Sequence, residues 1–429
     1  MLPQQRADEA LLSVPKFDLH KGDIQGFLDE LKAFHGVFSD CFARSELREH
    51  FFRYMVGQLS PLERKSIEPI ALSVKDGKIR AMQRFVSDAV WEDERILTKY
   101  RSMVNDDLGD PDGVLIFDET SFVKKGQDSI GVSKQYCGSV GKVENCQVGV
   151  FAVYASPQGY ALVDKRLYIP EKWFTEEYER RRKNCDLPQQ VQFQSKAYLA
   201  TEMFTNLSAE GQLPFRYVLA DSIYGEHPGF IEAVEGSTGV SYFVSVQADT
   251  RCWLTMPITR EKTYKYKGRV KKKTVLERTE KKPISVASLA RSIHDFFWYR
   301  RKVSEGAKGP IEYEFTKRRV VLSKDGAPRK TVWLIIRRTM QKNPTYSYFL
   351  SNAPVSTRLK TFVWLSGLRW AIEQCFEETK EELGMDHYEV RKYRGWHHHI
   401  LTCMLAHFFL WHLKIRLGKK STVYYSVAA

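Results

Sequence analysis

Two short apolar runs of this 429-residue chain each end on an aspartate, and this feature constrains the fold most strongly. Residues 114–117 (VLIF) lead directly into Asp118, and residues 216–220 lead into Asp221. Short runs rich in β-branched and aromatic residues, bounded by polar ones, are typical of buried strands. We therefore expect each aspartate to lie at the end of a strand, held rigidly at the edge of a sheet.

The pattern around these runs predicts an α/β fold. Strand patterns and helical patterns succeed one another between the two aspartates and beyond the second. The strand patterns cover 147–155, 160–169 and 241–247, and the helical patterns cover roughly 171–183 and 192–206.

Changes of pattern along the chain predict five segments. They are a helical N-terminal DNA-binding region (1–105), the first part of an α/β core (106–247), a basic β-rich insertion (248–345), the second part of the core (346–390) and a C-terminal helical region (391–429). For 1–105, a purely structural helical bundle is the alternative to DNA binding. The second part of the core contains a long helix from about 356 to 383, which we expect to end at Gly384.

The charge of the chain favours a polyanionic partner. Its formal net charge is +14 and its pI is about 9.3, and nucleic acid is the commonest partner of such proteins. An ordinary basic enzyme is the alternative. The stretch KYKGRVKKK (265–273) in the insertion fits a DNA-backbone contact, although it is also typical of a solvated hairpin.

Cysteine spacing and hydropathy predict a cytoplasmic protein. The seven cysteines include no CxxC pair, so neither a disulfide framework nor a zinc ribbon is indicated. The N-terminus lacks a signal-peptide pattern. The apolar stretch 400–417 is interrupted by two histidines, a lysine and an arginine, so we expect a buried helix and no membrane span.

A third carboxylate completes the candidate site. On the helix 356–383, Arg369, Glu373 and Lys380 lie within about 40° of one another at 100° per residue. An apolar stripe runs beside them, so a helix packed on the sheet can direct Glu373 towards both aspartates. Glu377 and Glu378 compete with Glu373 on geometry alone.

Three carboxylates that converge on one point repel each other unless a cation lies between them. Oxygen ligands of this kind suit Mg²⁺ or Mn²⁺. Two such ions activate a nucleophile and stabilise the departing oxygen in a displacement at phosphorus. The residues therefore indicate phosphodiester hydrolysis or transesterification on nucleic acid.

At these residues the chain resembles a known family over about 30–410. The stretches LIFDETSFVKKG, GVSKQYCGSVGKVENCQVGVF, VLADSIYG and RWAIEQCFEETKEELGMDHYEVRKYRGWHHH are similar to the three catalytic blocks of IS701-type insertion-sequence transposases. These belong to the IS4-like group of DDE transposases, which have a ribonuclease-H-like (retroviral integrase) fold. The resemblance implies a mixed five-stranded sheet with flanking helices, and a β-rich insertion before the catalytic helix. It also implies a metal-binding triad of Asp118, Asp221 and Glu373.

The group carries a Tyr-x2-Arg-x3-Glu-x6-Lys signature around its glutamate. Arg369, Glu373 and Lys380 match this spacing, but Ser366 occupies the tyrosine position. In relatives an aromatic residue of the insertion can stabilise a flipped base; Trp253 and Trp298 are candidates here, although a core position is the simpler interpretation of each. The predicted DNA-contacting residues are Arg369, Lys380, Lys124, Lys125, Lys271, Lys272 and Trp298.

Three smaller features have simpler explanations. Glu119 is either a second support for the metal or a solvated neighbour of Asp118. The histidines at 397–399 cannot share one ion, because adjacent helical residues point in different directions, so we expect surface or DNA-proximal positions. The GSVGK stretch (138–142) lacks phosphate-loop spacing, and its role stays unassigned.

Together these features predict a DNA transposase. It would bind the terminal inverted repeats of its element, cut the strands with two Mg²⁺ ions (Mn²⁺ can substitute), and transfer them to target DNA in a cut-and-paste reaction. Two element ends must be joined in one event, so we expect a homodimer in the synaptic complex. A non-transposing nuclease of the same fold and a domesticated DNA-binding protein are the alternatives.

Overall fold

The computed structural model describes residues 21–266, 269–306 and 309–427. These residues form two compact units. The larger unit consists of residues 21–216 and 370–427, and the smaller unit is Tyr217–Arg369.

The helices of the described residues are, in chain order, α1 (Lys21–Gly36), α2 (Ser45–Leu59), α3 (Ile67–Ser73), α4 (Ile79–Ser87), α5 (Asp93–Leu108), α6 (Glu179–Asn184), α7 (Lys196–Glu210), α8 (Ser222–Gly225), α9 (Pro228–Gly236), α10 (Val286–Ser292), α11 (Leu359–Leu368), α12 (Trp370–Glu381) and α13 (Tyr393–Val427). Short 3-10 helices cover Ser39–Cys41, Glu171–Phe174, Glu176–Tyr178 and Asp295–Phe297.

The strands are β1 (Val114–Val123), β2 (Ser133–Cys137), β3 (Lys142–Ser156), β4 (Gly159–Tyr168), β5 (Tyr217–Ala220), β6 (Ser241–Val246), β7 (Arg251–Trp253), β8 (Thr259–Tyr266), β9 (Arg269–Leu276), β10 (Ile284–Ser285), β11 (Tyr299–Gly306), β12 (Gly309–Lys324), β13 (Ala327–Arg338) and β14 (Tyr346–Ser351).

In the larger unit, the long strand β3 organises an antiparallel sheet. One edge of β3 pairs with the whole length of β1, from Val114 opposite Ala155 to Val123 opposite Cys146. Its other edge pairs first with β2 and then with β4. The helices α7, α12 and α13 pack on these strands, so the apolar residues of β1, β3 and β4 are buried on the sheet faces.

The end of α12 is fixed by a glycine, as the sequence predicts. Gly384 has a φ of +68°, a left-handed conformation that side chains disfavour. Its N–H donates to the Lys380 carbonyl at 3.2 Å, and the Met385 N–H donates to the Thr379 carbonyl at 2.9 Å. The bond from Gly384 is that of an αL cap, and together the two hydrogen bonds hold the last turn of α12 in place.

In the smaller unit, the sheet is mixed. β5 and β6 are parallel, whereas β6, β14, β13 and β12 follow one another in antiparallel pairs. β7 and β11 pair with β12, and β8 pairs with β9 in a separate hairpin. The protein is therefore a mixed α/β protein, as predicted.

The predicted helix 356–383 is interrupted. α11 ends at Leu368 and α12 begins at Trp370. Arg369 keeps helical dihedral angles, with φ −55° and ψ −28°, but it is the last residue of the smaller unit. The interruption thus coincides with the boundary between units, which apolar periodicity does not reveal.

Candidate active site

Asp118 lies in the middle of β1. The four residues before it are buried, and Asp118 itself is half-buried. The prediction that the strand ends at Asp118 was wrong, because residues 118–123 continue to pair with residues 146–151 of β3. The Asp118 carboxylate accepts a hydrogen bond from the Glu119 N–H at 2.9 Å. Asp118 is therefore fixed in position, because the residues before it and after it in β1 both pair with β3.

A cleft of about 410 Å³ opens beside Asp118 in the larger unit. Strand β1, helix α12, the start of α7 and the β2–β3 hairpin all contribute to its wall. Its acidic and basic side chains are Asp118, Glu119, Glu373, Glu377 and Glu381, with Lys196 and Lys380. Carboxylates outnumber lysines, so the cleft favours a cation.

Glu373 reaches this cleft from the first turn of α12. Its own side chain is exposed, while Ile372, Cys375 and Phe376 on the neighbouring face of the helix are buried. The Phe376 ring packs edge-on against Phe151 of β3, with 5.3 Å between ring centroids. This apolar contact holds α12 on the sheet, so Asp118 and Glu373 line the same cleft.

The structure narrows the choice between neighbouring glutamates. Glu378 is half-buried and bound: its carboxylate accepts from the Tyr160 hydroxyl at 2.8 Å and pairs with His407 Nε2 at 2.7 Å. Burial alone would raise the pKa of Glu378, but these contacts outweigh it and lower the pKa. Glu378 is thus a structural residue, whereas Glu377 lines the cleft beside Glu373.

Two lysines of the cleft bind the residues around Asp118. Lys196 Nζ lies 2.8 Å from Glu119 Oε1, and both side chains are largely buried. Lys380 Nζ donates to Thr120 Oγ1 at 2.8 Å and to the Ser121 carbonyl at 3.1 Å, and burial lowers the pKa of Lys380. Lys380 thereby joins α12 to β1. Sequence patterns do not reveal this role of Lys196, since it lies 78 residues beyond Asp118 (196 − 118) at the start of helix α7.

In the smaller unit, Asp221 directly follows β5, as predicted. Its Oδ1 accepts a hydrogen bond from the Ile223 N–H at 2.9 Å, so Asp221 is also the N-cap of the short helix α8. Ser366, which stands at the tyrosine position of the signature, is buried and donates to the Val363 carbonyl at 2.9 Å.

Comparison with known protein families identifies the family of this chain. Residues 37–310 match a family described as DDE superfamily endonuclease. The chain belongs to the DDE superfamily endonucleases. The matched residues include Asp118 and Asp221 and end before Glu373.

A curated relative is similar over a shorter region. A probable transposase for insertion sequence element IS701 from Microchaete diplosiphon is 28% identical over 199 residues. The alignment covers 46% of this chain and 49% of that protein, so it spans about half the length of the relative. The resemblance drawn from the sequence is confirmed.

DDE endonucleases generally use divalent metal ions. Over its described residues, neither unit groups three Asp, Glu, His or Cys side chains in an arrangement that could hold a metal ion. Asp118 and Glu373 nevertheless offer hard oxygen donors to one negatively charged cleft, and donors of this kind fit a divalent cation of the Mg²⁺ type.

Of the two lysines that follow β1 in this DDE protein, only Lys125 is exposed. Lys124 Nζ lies 3.3 Å from the centroid of the Tyr388 ring and donates to the Tyr388 carbonyl at 2.8 Å. Burial lowers the pKa of Lys124 to about 7. Lys124 therefore holds the segment after α12 against the end of β1.

We expect Lys124→Met to remove part of the pH dependence of stability. The folded protein releases the Lys124 proton near pH 7, whereas an unfolded chain keeps it up to about pH 10.4. Between these values the unfolded chain binds more protons, so the wild-type free energy of unfolding rises with pH, by about 1 kcal/mol per unit from this group. Urea unfolding at pH 7 and pH 9 measures the difference.

Lys125→Met is the matched control, because the exposed Lys125 neighbours Lys124 in the chain. It should keep the wild-type pH profile. If Lys124→Met also kept that profile, the buried ammonium group would not be the source of the effect.

The remaining predicted DNA contacts lie in the smaller unit. Lys271 and Lys272 are exposed on β9, and Lys272 pairs with Glu261 of β8 at 2.8 Å. Arg369 is half-buried. Trp298 is buried, with the Arg338 guanidinium 4.1 Å from its ring centroid, and Trp253 is buried too. Both tryptophans have the core position that was the simpler interpretation.

The prediction that the histidine triplet lies on the surface was wrong. His398 and His399 are buried within α13, which packs against α2, α4, α5 and β4. His398 stacks on Trp91 with 3.7 Å between ring centroids. His399 Nδ1 lies 2.8 Å from the Tyr54 hydroxyl, and burial lowers its pKa to about 3. The two histidines are thus packed and hydrogen-bonded in the core of the larger unit, and they are neutral there.

Hydropathy adds one finding about the helices. Across the part of the chain that the structure describes, no helix is both long enough and apolar enough to cross a membrane.

Proposed function

We propose that this protein is a DNA transposase that cuts its element at terminal inverted repeats and joins the freed ends to target DNA by a cut-and-paste reaction. The observation that carries the proposal is the cleft in which Asp118 of β1 and Glu373 of α12 meet two lysines. The curated relative, which is called a probable transposase, supports it. Asp118, Asp221 and Glu373 are the proposed catalytic and metal-binding residues.

The proposed cofactor is Mg²⁺, as two ions, with Mn²⁺ as a substitute. Bound to the three carboxylates, the ions would activate the attacking oxygen and stabilise the leaving oxygen at phosphorus. The chain itself supplies positioning. Lys196 neutralises Glu119 next to Asp118, and Lys380 fixes α12 to β1. Both contacts keep the carboxylates in place before any cation arrives.

The proposed core is the ribonuclease-H-like five-stranded sheet, with the helical N-terminal region (1–105) and the β-rich insertion (248–345) as DNA-binding parts. The exposed Lys125, Lys271 and Lys272 support backbone contacts, because exposed lysines neutralise phosphates with little desolvation. Arg369, Lys380, Lys124 and Trp298 complete the proposed DNA-contacting set. A homodimer on DNA would bring two element ends together in the cytoplasm, where the protein would associate with the nucleoid.

A strand-transfer assay tests this proposal. The substrate is a linear DNA that carries the sequences bordering the gene at both ends, with a supercoiled plasmid as target and Mg²⁺ in the buffer. We expect cuts at both borders and covalent joining of the new 3′ ends to the plasmid, with no product in EDTA. Cuts without joining would favour a non-transposing nuclease, and binding without cuts would favour a domesticated DNA-binding protein.

A further inference from the structure

The β2–β3 hairpin has one anchored face. Along β2, burial alternates from Ser133 to Cys137, with the two end residues buried. Cys137 packs with Cys146 and Val148 in a small buried cluster. The turn is closed by hydrogen bonds from the N–H groups of Val140 and Gly141 to the Cys137 carbonyl. The hairpin is therefore a fixed projection of the sheet.

The opposite face of the hairpin is exposed and apolar. The Tyr136 side chain is 63% exposed and lies directly across from Val143, which is 66% exposed. Val140 at the turn is 46% exposed. No other residue of the described ranges stacks on the Tyr136 ring or hydrogen bonds to its hydroxyl. An aromatic ring in this setting offers its flat surface to a partner.

This face continues into the cleft of Asp118. Tyr136, Gly138 and Ser139 line the cleft together with Asp118 and Glu373. The Gly138 N–H lies 3.3 Å from Ser121 Oγ, which ties the turn to β1 three residues beyond Asp118. A strand whose phosphate lies at the carboxylates would therefore bring its neighbouring base to the hairpin.

Charge on the hairpin fits a nucleic-acid partner. Lys134 is exposed two residues before Tyr136, on the same face of β2. Lys142 is also exposed, but it lies across from Cys137 and pairs with Glu144 at 3.6 Å. A base stacked on the Tyr136 ring therefore has the Lys134 cation on the same face for a neighbouring phosphate, and an aromatic surface beside a lysine is typical of single-strand binding.

We propose that Tyr136 and Val143 form a stacking platform for an unpaired nucleobase next to the scissile phosphate. This inference rests on the proposed function, because it places the phosphate at Asp118 and Glu373. It gives the unassigned YCGSVGK stretch a role: the cysteine anchors the hairpin, the glycines shape the turn, and the tyrosine binds the substrate. The site thus acts on DNA that is locally unstacked beside the cut.

A cycle of protein and DNA changes tests the platform. Cleavage of a border DNA is compared for wild type, Tyr136→Ala and Tyr136→Phe, on intact DNA and on DNA with an abasic site on either side of the cut. We expect Tyr136→Ala to slow cleavage of intact DNA about tenfold, within the range for loss of one base–aromatic stack, and Tyr136→Phe to match wild type. On DNA abasic at the stacked position, wild type and Tyr136→Ala should be equal.

Tyr198→Ala is the matched control. Tyr198 is an exposed tyrosine of α7, two residues from Lys196 and hence about 200° around the helix from it. It should cleave like wild type. A tenfold loss with Tyr136→Ala on intact and abasic DNA alike would overturn the proposal, because a purely structural pair with Val143 gives that result and lowers the melting temperature too.

A second readout keeps the platform separate from the proposed function. A single-stranded oligonucleotide with 2-aminopurine is titrated with each variant in the absence of cleavage. The platform is supported, even if no border DNA is cut, when wild type quenches the 2-aminopurine fluorescence and Tyr136→Ala binds the oligonucleotide about tenfold more weakly. Equal quenching by both proteins overturns it even if transposition is demonstrated.

Discussion

Replacing Asp118 with asparagine is expected to lower the rate of strand cleavage at least about 10³-fold, because a metal-binding carboxylate contributes several kcal/mol of charge stabilisation in the transition state. Asparagine has nearly the same shape, and its amide oxygen can keep the hydrogen bond from the Glu119 N–H. The substitution therefore removes the charge and leaves β1 intact. Single-turnover cleavage of border DNA in Mg²⁺ measures the loss, and a thermal melt checks the fold.

Glu373→Gln should show a loss of similar size, and Glu377→Gln supplies the control that the structure offers. Both glutamates are exposed on α12 and line the same cleft. Only Glu373 has the signature spacing from Arg369 and Lys380, so Glu377→Gln should stay within about tenfold of wild type, the scale of an outer-sphere change. If the two losses were exchanged, Glu377 would be the metal ligand; if Asp118→Asn cleaved normally, the mechanism would be wrong.

Strand positions were predictable because they depend on local pattern. The predicted strands at 160–169 and 241–247 correspond to β4 (Gly159–Tyr168) and β6 (Ser241–Val246) within one residue at each end. Burial on both faces demands nearly continuous apolar runs, and such runs are visible in the sequence. β1 was predicted too short, since residues 118–121 are four consecutive polar residues that nevertheless pair fully with β3.

The side-chain partners were not predictable, because they depend on contacts between distant parts of the chain. Lys124 follows β1 in a polar stretch that suggests exposure, yet it contacts Tyr388. Lys196 carries no sequence signal for its contact with Glu119. The histidines 397–399 look like a polar patch until α13 is packed on several elements at once. Each case reflects tertiary packing that overrides local polarity.

A buried ion network joins helix α5 to the sheet, and breaking it should have the largest effect on stability. Arg101 is only 2% exposed, and its guanidinium lies 3.5 Å from Asp164 Oδ2, which is fully buried on β4. The same guanidinium donates to both oxygens of Glu210 at the end of α7, at 2.8 and 2.9 Å. One arginine thus connects three elements of the larger unit.

Arg101→Met is expected to destabilise the protein by about 3 kcal/mol, because it removes a buried guanidinium and leaves Arg166, 2.6 Å from Asp164 Oδ1, to compensate the Asp164 carboxylate alone. Arg95→Met is the matched control on the same helix: Arg95 pairs with Asp40 at 3.0 Å, but both side chains are about half exposed. Exposed pairs contribute about 0–1 kcal/mol, so this variant should unfold almost like wild type. Urea unfolding of the larger unit, followed by tryptophan fluorescence, measures both.

The double variant Arg101→Met with Asp164→Asn tests the cause of that loss. Neutralising Asp164 removes the charge that Arg101→Met leaves with Arg166 as its paired arginine, so the double variant should lose less stability than the sum of the single changes. Additive losses would mean that Arg101 acts through packing and through its hydrogen bond to the Val163 carbonyl. A sub-additive result would show that the sheet carrying Asp118 tolerates its buried carboxylate because Arg101, which lies outside the predicted core segment 106–247, adds a second cation to Arg166 of the same strand.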